Sequence, residues 1–261
     1  QALELRDNGI KSEILIFSKT HQHYLEPAFK NNLTLNVSSL DDIDIFESHK
    51  LSNEKIPNFH LKFDTGMTRL GINISDASNV FERVKRNLGT ECKGIYSHYA
   101  TADEGDLSFA NHQFSLFNDV IETAIEKEIK FETIHFSNSG ASINLDQSKF
   151  DQVRVGMLLY GAYPSSEVPK DLPVEPVMEF CAPVVEVRKV KKNTPVSYGG
   201  VYKTPDDCTI GVVQCGFADG IPREWYKEGF VSMNGTYFKI AGRICMDQFM
   251  VNFENFTPNI G

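Results

Sequence analysis

None of the five cysteines (Cys92, Cys181, Cys208, Cys215, Cys245) stands in a C-x-x-C pair, and their number is odd. That argues against a disulfide framework or a zinc knuckle and reads as reduced thiols of a cytosolic protein. Positive charge is scarce too: 26 Lys and Arg against 35 Asp and Glu leave a net charge of −9. Nucleic acid and anionic membrane surfaces are poor partners for such a chain, although one local basic pocket for a single phosphate is compatible with it. No apolar run approaches membrane-spanning length. Neither a P-loop nor a G-x-G-x-x-G is present, so a nucleotide cofactor is not indicated. A signal-peptide pattern is missing as well. The chain opens at Gln1 within a helical pattern and stops at Gly261 without a natural terminus, so both ends read as cut.

What the chain does have is alternation of short apolar runs with helical stretches. The runs are Ile14–Phe17, Leu33–Val37, Phe59–Phe63, Gly94–Tyr96, Thr133–Phe136 and Val153–Leu159. Helical patterns cover Gln1–Asn8, stopped by Gly9, then Asp76–Leu88, then Ser108–Lys127 with Asp106 as its cap. Alternation of this kind implies parallel strands covered by helices. Six strands fit an open doubly wound sheet. They also fit an eight-stranded barrel lacking its first two strands, and the orphan helix at residue 1 agrees better with the barrel. Pro164, Pro169, Pro173 and Pro176 mark a boundary that neither helix nor central strand crosses easily. Beyond it Val184–Val190 alternates, Thr209–Val213 is a buried-type run, and Asn234-Gly235 inside Val231–Ile240 is the preferred pair for a two-residue hairpin turn. The expected organisation is an α/β domain over 1–163, a linker over 164–176, and an antiparallel β domain over 177–261.

Chemistry-bearing residues gather at strand ends. Alternation puts Lys62 and Asp64 on one face of their strand and Phe63 on the other. For Asp64 a strand-end salt bridge is the simpler reading. Arg69, in a glycine-flanked loop, sits where barrel enzymes place catalytic groups. His98 follows a strand and precedes a polar loop, a position equally open to a structural or a catalytic histidine. The His135-Phe136-Ser137-Asn138-Ser139-Gly140-Ala141 and Arg154-Val155-Gly156-Met157 segments supply small residues, and backbone that can approach a ligand. If two strands precede this chain, they follow strands seven and eight, where barrels frequently bind phosphate. In the β domain, Tyr198 stands beside Gly199 and Gly200, as hairpin aromatics commonly do.

Taken in order, LKFDTGMTRLGI, YSHYATAD, HFSNSGA, VRVGMLLYG, VSYGG, GFADGIPR and GRICMDQ resemble the alanine racemases among the fold-type III pyridoxal-phosphate enzymes. Each motif alone is weak, but seven in family order from Leu61 to Gln248 are specific. The resemblance implies an α/β fold: a (β/α)8 TIM-type barrel, here N-terminally truncated to about six of eight strands, followed by a mainly antiparallel β domain. It also implies pyridoxal 5′-phosphate as cofactor, a small amino acid as substrate, and a homodimer sharing its active sites. On that basis Lys62 matches a lysine that is often carbamylated and orients Arg69, which helps hold the substrate or a catalytic tyrosine. Asn138, Ser139, Gly156 and the Met157 backbone match the phosphate side of the cofactor site. Arg154 faces the pyridine nitrogen with His135 behind it. A permanently charged guanidinium discourages protonation of that nitrogen and makes the ring a poorer electron sink.

Tyr198 matches the base on one face of the α-carbon, reaching into the partner's site, with His98 in the network behind it. The Met246 backbone meets the substrate carboxylate, and Asp103, Arg223, Arg243 and Phe217 line the substrate corridor. Phe217 stands where many members have tyrosine. The family's other base, the cofactor lysine of the first barrel strand, has no match before Leu61, and a late tyrosine of the β domain is also unmatched. The expectation is a protein that interconverts L- and D-alanine, with these 261 residues inactive alone. A serine racemase, a fold-type III decarboxylase and a degenerate, non-catalytic module are the readings that compete with it.

Overall fold

Each strand of the α/β half carries apolar residues at alternate positions, and that period decides which face meets the helices. The computed structural model describes residues 1–53 and 55–261, which divide into two compact units, Gln1–Met178 and Glu179–Gly261. In the first, β1 (Leu15–Ile16), β2 (Thr34–Val37), β3 (Phe59–Asp64), β4 (Ile72–Asn73), β5 (Cys92–Tyr96) and β6 (Thr133–His135) form one sheet. The order is β1-β2-β3-β5-β6, every pairing is parallel, and β4 attaches to the end of β3. This is a half-barrel of parallel strands. The helices α1 (Ala2–Asp7), α2 (Leu25–Lys30), α3 (Leu40–Asn53), α4 (Ala77–Arg83), α5 (Ser108–Glu126) and α6 (Ser139–Asn144) lie between the strands in sequence.

Leu35, Val37, Phe59, Leu61, Phe63 and Ile95 join the core shared with the helices, together with Ile43, Phe46, Val80, Phe81 and Phe117. The alternate positions make a second, polar row on the other face. Register places Asn36 beside His60 and His60 beside Gly94, while Lys62 lies beside Tyr96 and Tyr96 beside His135. A parallel half-barrel with one apolar face and one polar, buried face is already a binding surface in outline.

Five of the six expected strands form. Val153–Leu159 does not. Asp151 N–H donates to the Ile134 carbonyl and Arg154 N–H to the Ser137 carbonyl, so this segment starts alongside β6. At Gly156 the backbone turns out of the extended region, and Met157–Tyr160 close into a 3-10 turn ended by the left-handed Gly161. The expected helix ends are close to those observed: Asp106 accepts from Ser108 N–H at 2.9 Å, and Gly9 takes a positive φ after α1. After Arg83, however, α4 widens into a π turn over Val84–Leu88.

The proline-rich stretch expected as a linker folds back on the first unit. Tyr163 Oη donates to the Leu172 carbonyl at 2.5 Å, Glu167 accepts from Gly105 N–H at 2.7 Å, and the Glu175 backbone lies against Gly161.

In the second unit β7 (Val184–Val190), β8 (Pro195–Val196), β9 (Tyr202–Lys203), β10 (Cys208–Val213), β11 (Phe230–Met233), β12 (Thr236–Ile240) and β13 (Phe249–Asn252) are all antiparallel. Five make a sheet in the order β11-β12-β13-β10-β7, and β8 pairs with β9. Asn234 and Gly235 have φ of 52° and 76°, the doubly positive turn that matches strand twist.

Gly94 is the tightest packing constraint behind the polar row. A Cβ there would lie 2.6 Å from the ring of His60, which is itself nearly buried. Gly94→Ala is expected to lose about 1–3 kcal/mol of stability by overpacking, read as a lower chemical-denaturation midpoint with unchanged slope. A variant as stable as the parent would show that the His60 ring yields freely.

Candidate active site

The polar row of the half-barrel converges on Arg154. Its Nη1 lies 2.8 Å from His135 Nδ1, and His135 Nε2 lies 2.9 Å from His60 Nδ1. A guanidinium only donates, so His135 Nδ1 must accept and its proton must sit on Nε2. That proton then points at His60 Nδ1, which leaves the His60 proton on Nε2 as well. Both imidazoles are therefore neutral. Burial, then the charge of Arg154, then His60 drive the His135 pKa down to about 2, and burial takes His60 to about 4. Gly94 makes the chain possible, because its missing Cβ leaves room for the His60 ring.

Three further bonds fix the guanidinium. Nη2 donates to the Ser97 carbonyl at 2.7 Å and the Phe136 carbonyl at 2.9 Å, and it meets His98 Nδ1 at 3.1 Å. The Tyr96 ring stacks on His135 with centroids 4.6 Å apart, and its hydroxyl donates to Asn36 Oδ1 at 2.8 Å. Burial, followed by the charges of Arg154, Arg69 and Lys62, lowers His98 to about 4. Lys62 is 5% exposed, with Nζ 5.6 Å from the Tyr96 ring centroid. Desolvation lowers its pKa to about 8, assisted by Arg69 and then Arg154 and opposed weakly by Asp64. Arg154 is itself lowered to about 10, mainly by burial.

These shifts share a direction. Three cations face one another among neutral histidines, so the site carries excess positive potential in a chain of net charge −9. An anion bound there relieves the repulsion.

The strand-end segments also meet. Ser139 Oγ accepts from Gly156 N–H at 3.0 Å, joining the start of α6 to the turn that begins at Met157. Asn138 caps α6 through Ala141 N–H and also donates to the Tyr99 carbonyl. Beside Gly156 there is open space within 4 Å of where a Cβ would stand, whereas Gly140 is pressed against Asp103. The Ser137 hydroxyl is buried there with no partner among the described residues.

One sequence expectation needs correcting. Among the described residues Asp64 forms no strand-end salt bridge: its Oδ1 accepts from Gly66 and Thr68 N–H, shaping the loop that carries the exposed Arg69. His98 is hydrogen-bonded to Arg154. The alternation that pointed Lys62 inward also points His60 inward, but nothing in the sequence singled His60 out.

The second unit gathers its own motifs. Phe217 N–H donates to the Cys245 carbonyl and Ala218 N–H to the Met246 carbonyl, both at 3.0 Å. Gly216 is required there, since a Cβ would stand 2.0 Å from the Met246 carbonyl oxygen. The Arg223 guanidinium lies 5.1 Å from the Phe217 ring centroid. Tyr198 is 68% exposed and Met246 57% exposed. A single short loop cluster thus presents a phenol, a free methionine edge and, through Arg223 and Arg243, two guanidinium-bearing residues.

Residues 1–164 match the family model described as "Alanine racemase, N-terminal domain", and residues 177–260 match "Alanine racemase, C-terminal domain". "Alanine racemase 2" of Caldanaerobacter subterraneus is 35% identical over 97% of this chain. The chain spans 65% of that relative's length. Among solved structures, an alanine racemase from Streptomyces coelicolor superposes with a TM-score of 0.87 at 30% identity, covering 99% of this chain and 70% of the other. One from Bartonella henselae, described with covalently bound pyridoxal phosphate, gives 0.85 at 25% identity, covering 100% and 71%.

Two measurements test the electrostatics. A lysine held at about 8 stays neutral in the folded chain where the unfolded chain still binds a proton. Stability is therefore lost as pH falls from 10.5 to 8 and stays lost below. Lys62→Met should raise the unfolding free energy at pH 7 by up to about 3 kcal/mol and change it little at pH 10.5. A less stable variant at pH 7 would refute the buried-charge reading. The histidines run the same way. Stability contributed by neutral His60 and His135 is complete above 6.5 and falls with pH through the range down to about 4 and about 2. Ring resonances of His135 should show no protonation step in a nuclear magnetic resonance titration from pH 7 to 5.

Proposed function

The chain belongs to the alanine racemase family, and from that premise we propose that the protein interconverts L- and D-alanine using pyridoxal 5′-phosphate. The observation that carries this reading is Arg154 locked between a neutral His135 and three further acceptors. The residues fit the group. The excess positive potential calls for an anion, the Ser139–Gly156 junction leaves open space at backbone level, and Arg154 offers a donor that cannot be protonated further.

When bound, the cofactor supplies a sink for the negative charge that develops at the substrate α-carbon. Arg154 holds its place as a donor to the ring nitrogen and keeps a proton off it. Asn138, Ser139, Gly156 and the Met157 backbone hold the phosphate. Arg69 attracts the substrate carboxylate or steadies the phenol, the Met246 backbone receives the carboxylate, and Lys62 and His98 tune the charge around them. The lowered pKa of Lys62 leaves a fraction of its amine unprotonated near neutral pH and so open to carbamylation. Tyr198 removes or returns the α-proton on one face. Its exposure suits a group delivered to the site of a second subunit, so we read the active form as a homodimer. Asp103, Arg223, Arg243 and Phe217 line the corridor by which a small amino acid arrives. The base of the opposite face is a lysine outside residues 1–261, and these residues alone do not racemise. A cytoplasmic enzyme supplying D-alanine for the cell wall is the physiological role this implies.

The test is D-alanine formation from L-alanine by the whole protein with pyridoxal phosphate, with residues 1–261 as control. Turnover by the whole protein alone is expected, and Tyr198→Phe should lower it about 10²- to 10⁴-fold. Borohydride reduction of the loaded protein should label one lysine outside residues 1–261; a stoichiometric adduct within them would refute the missing-lysine reading. Faster turnover of serine than of alanine would move the substrate assignment to serine.

A further inference from the structure

Ser197 immediately precedes Tyr198, and its backbone is unusual. With φ 64° and ψ −175° it lies in a region that is essentially reserved for glycine. A serine stays there only if its surroundings over-determine it, and two contacts do so. Its Oγ donates to the Arg243 carbonyl at 2.6 Å, with Cys245 Sγ a further 3.9 Å contact. From the other side Gly242, at φ 84°, packs so closely that a Cβ would stand 2.6 Å from the Val196 carbonyl oxygen and 2.7 Å from Ser197 Cβ. The clamp thus reaches Tyr198 from a segment far along the chain, and Tyr198 itself is 68% exposed, with little burial to aim it.

We propose that Ser197 is a positioning residue: its clamped left-handed backbone, held by the Oγ–Arg243 hydrogen bond and by Gly242, fixes the direction in which the Tyr198 phenol leaves the sheet. The inference rests on the reading of Tyr198 as the base of one face. Aim matters because proton transfer needs the oxygen within hydrogen-bond reach of the α-proton, and a displacement of about 1 Å can lower a rate about 10²-fold. Ordinary backbone at residue 197 would turn the phenol elsewhere. Strain at this position therefore holds the geometry that the chemistry uses.

The experiment compares Ser197→Gly and Ser197→Ala with Tyr198→Phe in the whole protein loaded with pyridoxal phosphate. Glycine accepts the observed φ and ψ without strain but removes the hydroxyl clamp. Ser197→Gly should keep its melting temperature, lower kcat roughly 10- to 100-fold, and leave KM within about twofold. Its primary isotope effect should rise with one enantiomer of α-deuterated alanine and not with the other, because Tyr198 serves one face only. Ser197→Ala should show the same asymmetry with a lower melting temperature. A kcat for Ser197→Gly within twofold of the parent, or isotope effects that change equally for both enantiomers, would overturn the positioning role. Undiminished racemisation by Tyr198→Phe would instead overturn the role of Tyr198, and Ser197's with it.

Discussion

A guanidinium cannot accept a hydrogen bond, and from that restriction at Arg154 the protonation of the whole half-barrel interior follows. His135 accepts, so its proton is on the far nitrogen; His60 accepts that one in turn. Adding a proton to either ring would set two donors against each other in a site already rich in positive charge. Both histidines therefore stay neutral well below their ordinary range. The network is rigid because each member has only one arrangement that satisfies its neighbour. Its geometry is set in turn by packing: β3, β5 and β6 pair so that His60 adjoins Gly94 and Tyr96 adjoins His135, and the gap at Gly94 admits the His60 ring.

Much of this frame was legible in the sequence because it rests on local periods. Short apolar runs bounded by turn residues located β1, β2, β3, β5 and β6, and alternation in Phe59–Asp64 assigned Lys62 to the inner face. Asn234-Gly235 located the hairpin, since few other residues tolerate two successive positive φ values. The apolar content of Val153–Leu159 predicts a strand, but Gly156, inside the run, turns the chain into a 3-10 turn. The prolines of 164–176 predict a boundary. They stop regular structure as expected, but bonds such as Tyr163 to Leu172 fold the stretch back onto its own unit.

The candidate site was legible as a set of segments and illegible as a set of contacts. His60 is not legible in the sequence because its importance depends on a bond to His135, formed only when a third strand between them lacks a side chain at Gly94. In the second unit Gly216 and Met246 look unrelated in sequence, yet the carbonyl of one occupies the space a Cβ of the other would take. The union of Ser139 with Gly156 N–H is likewise invisible until β6 and the following segment run side by side. Local pattern identifies the pieces; register decides which of them touch.

The departures from local rules cluster where the chemistry is assigned. Lys62 is a buried amine held close to neutrality, and Ser197 is a serine in a conformation suited to glycine. Ser137 is a buried hydroxyl without a partner among the described residues. Each lowers stability, and each is held in place by otherwise ordinary packing around it. Their effects differ in kind, however. Lys62 adds positive potential that an anionic ligand can relieve, so its penalty diminishes on binding. The strain at Ser197 is held by its contacts with Arg243 and Gly242 within its own unit, as expected of a device that fixes direction. The first kind of cost can be relieved by a bound anion, whereas the second is kept as a fixed backbone direction.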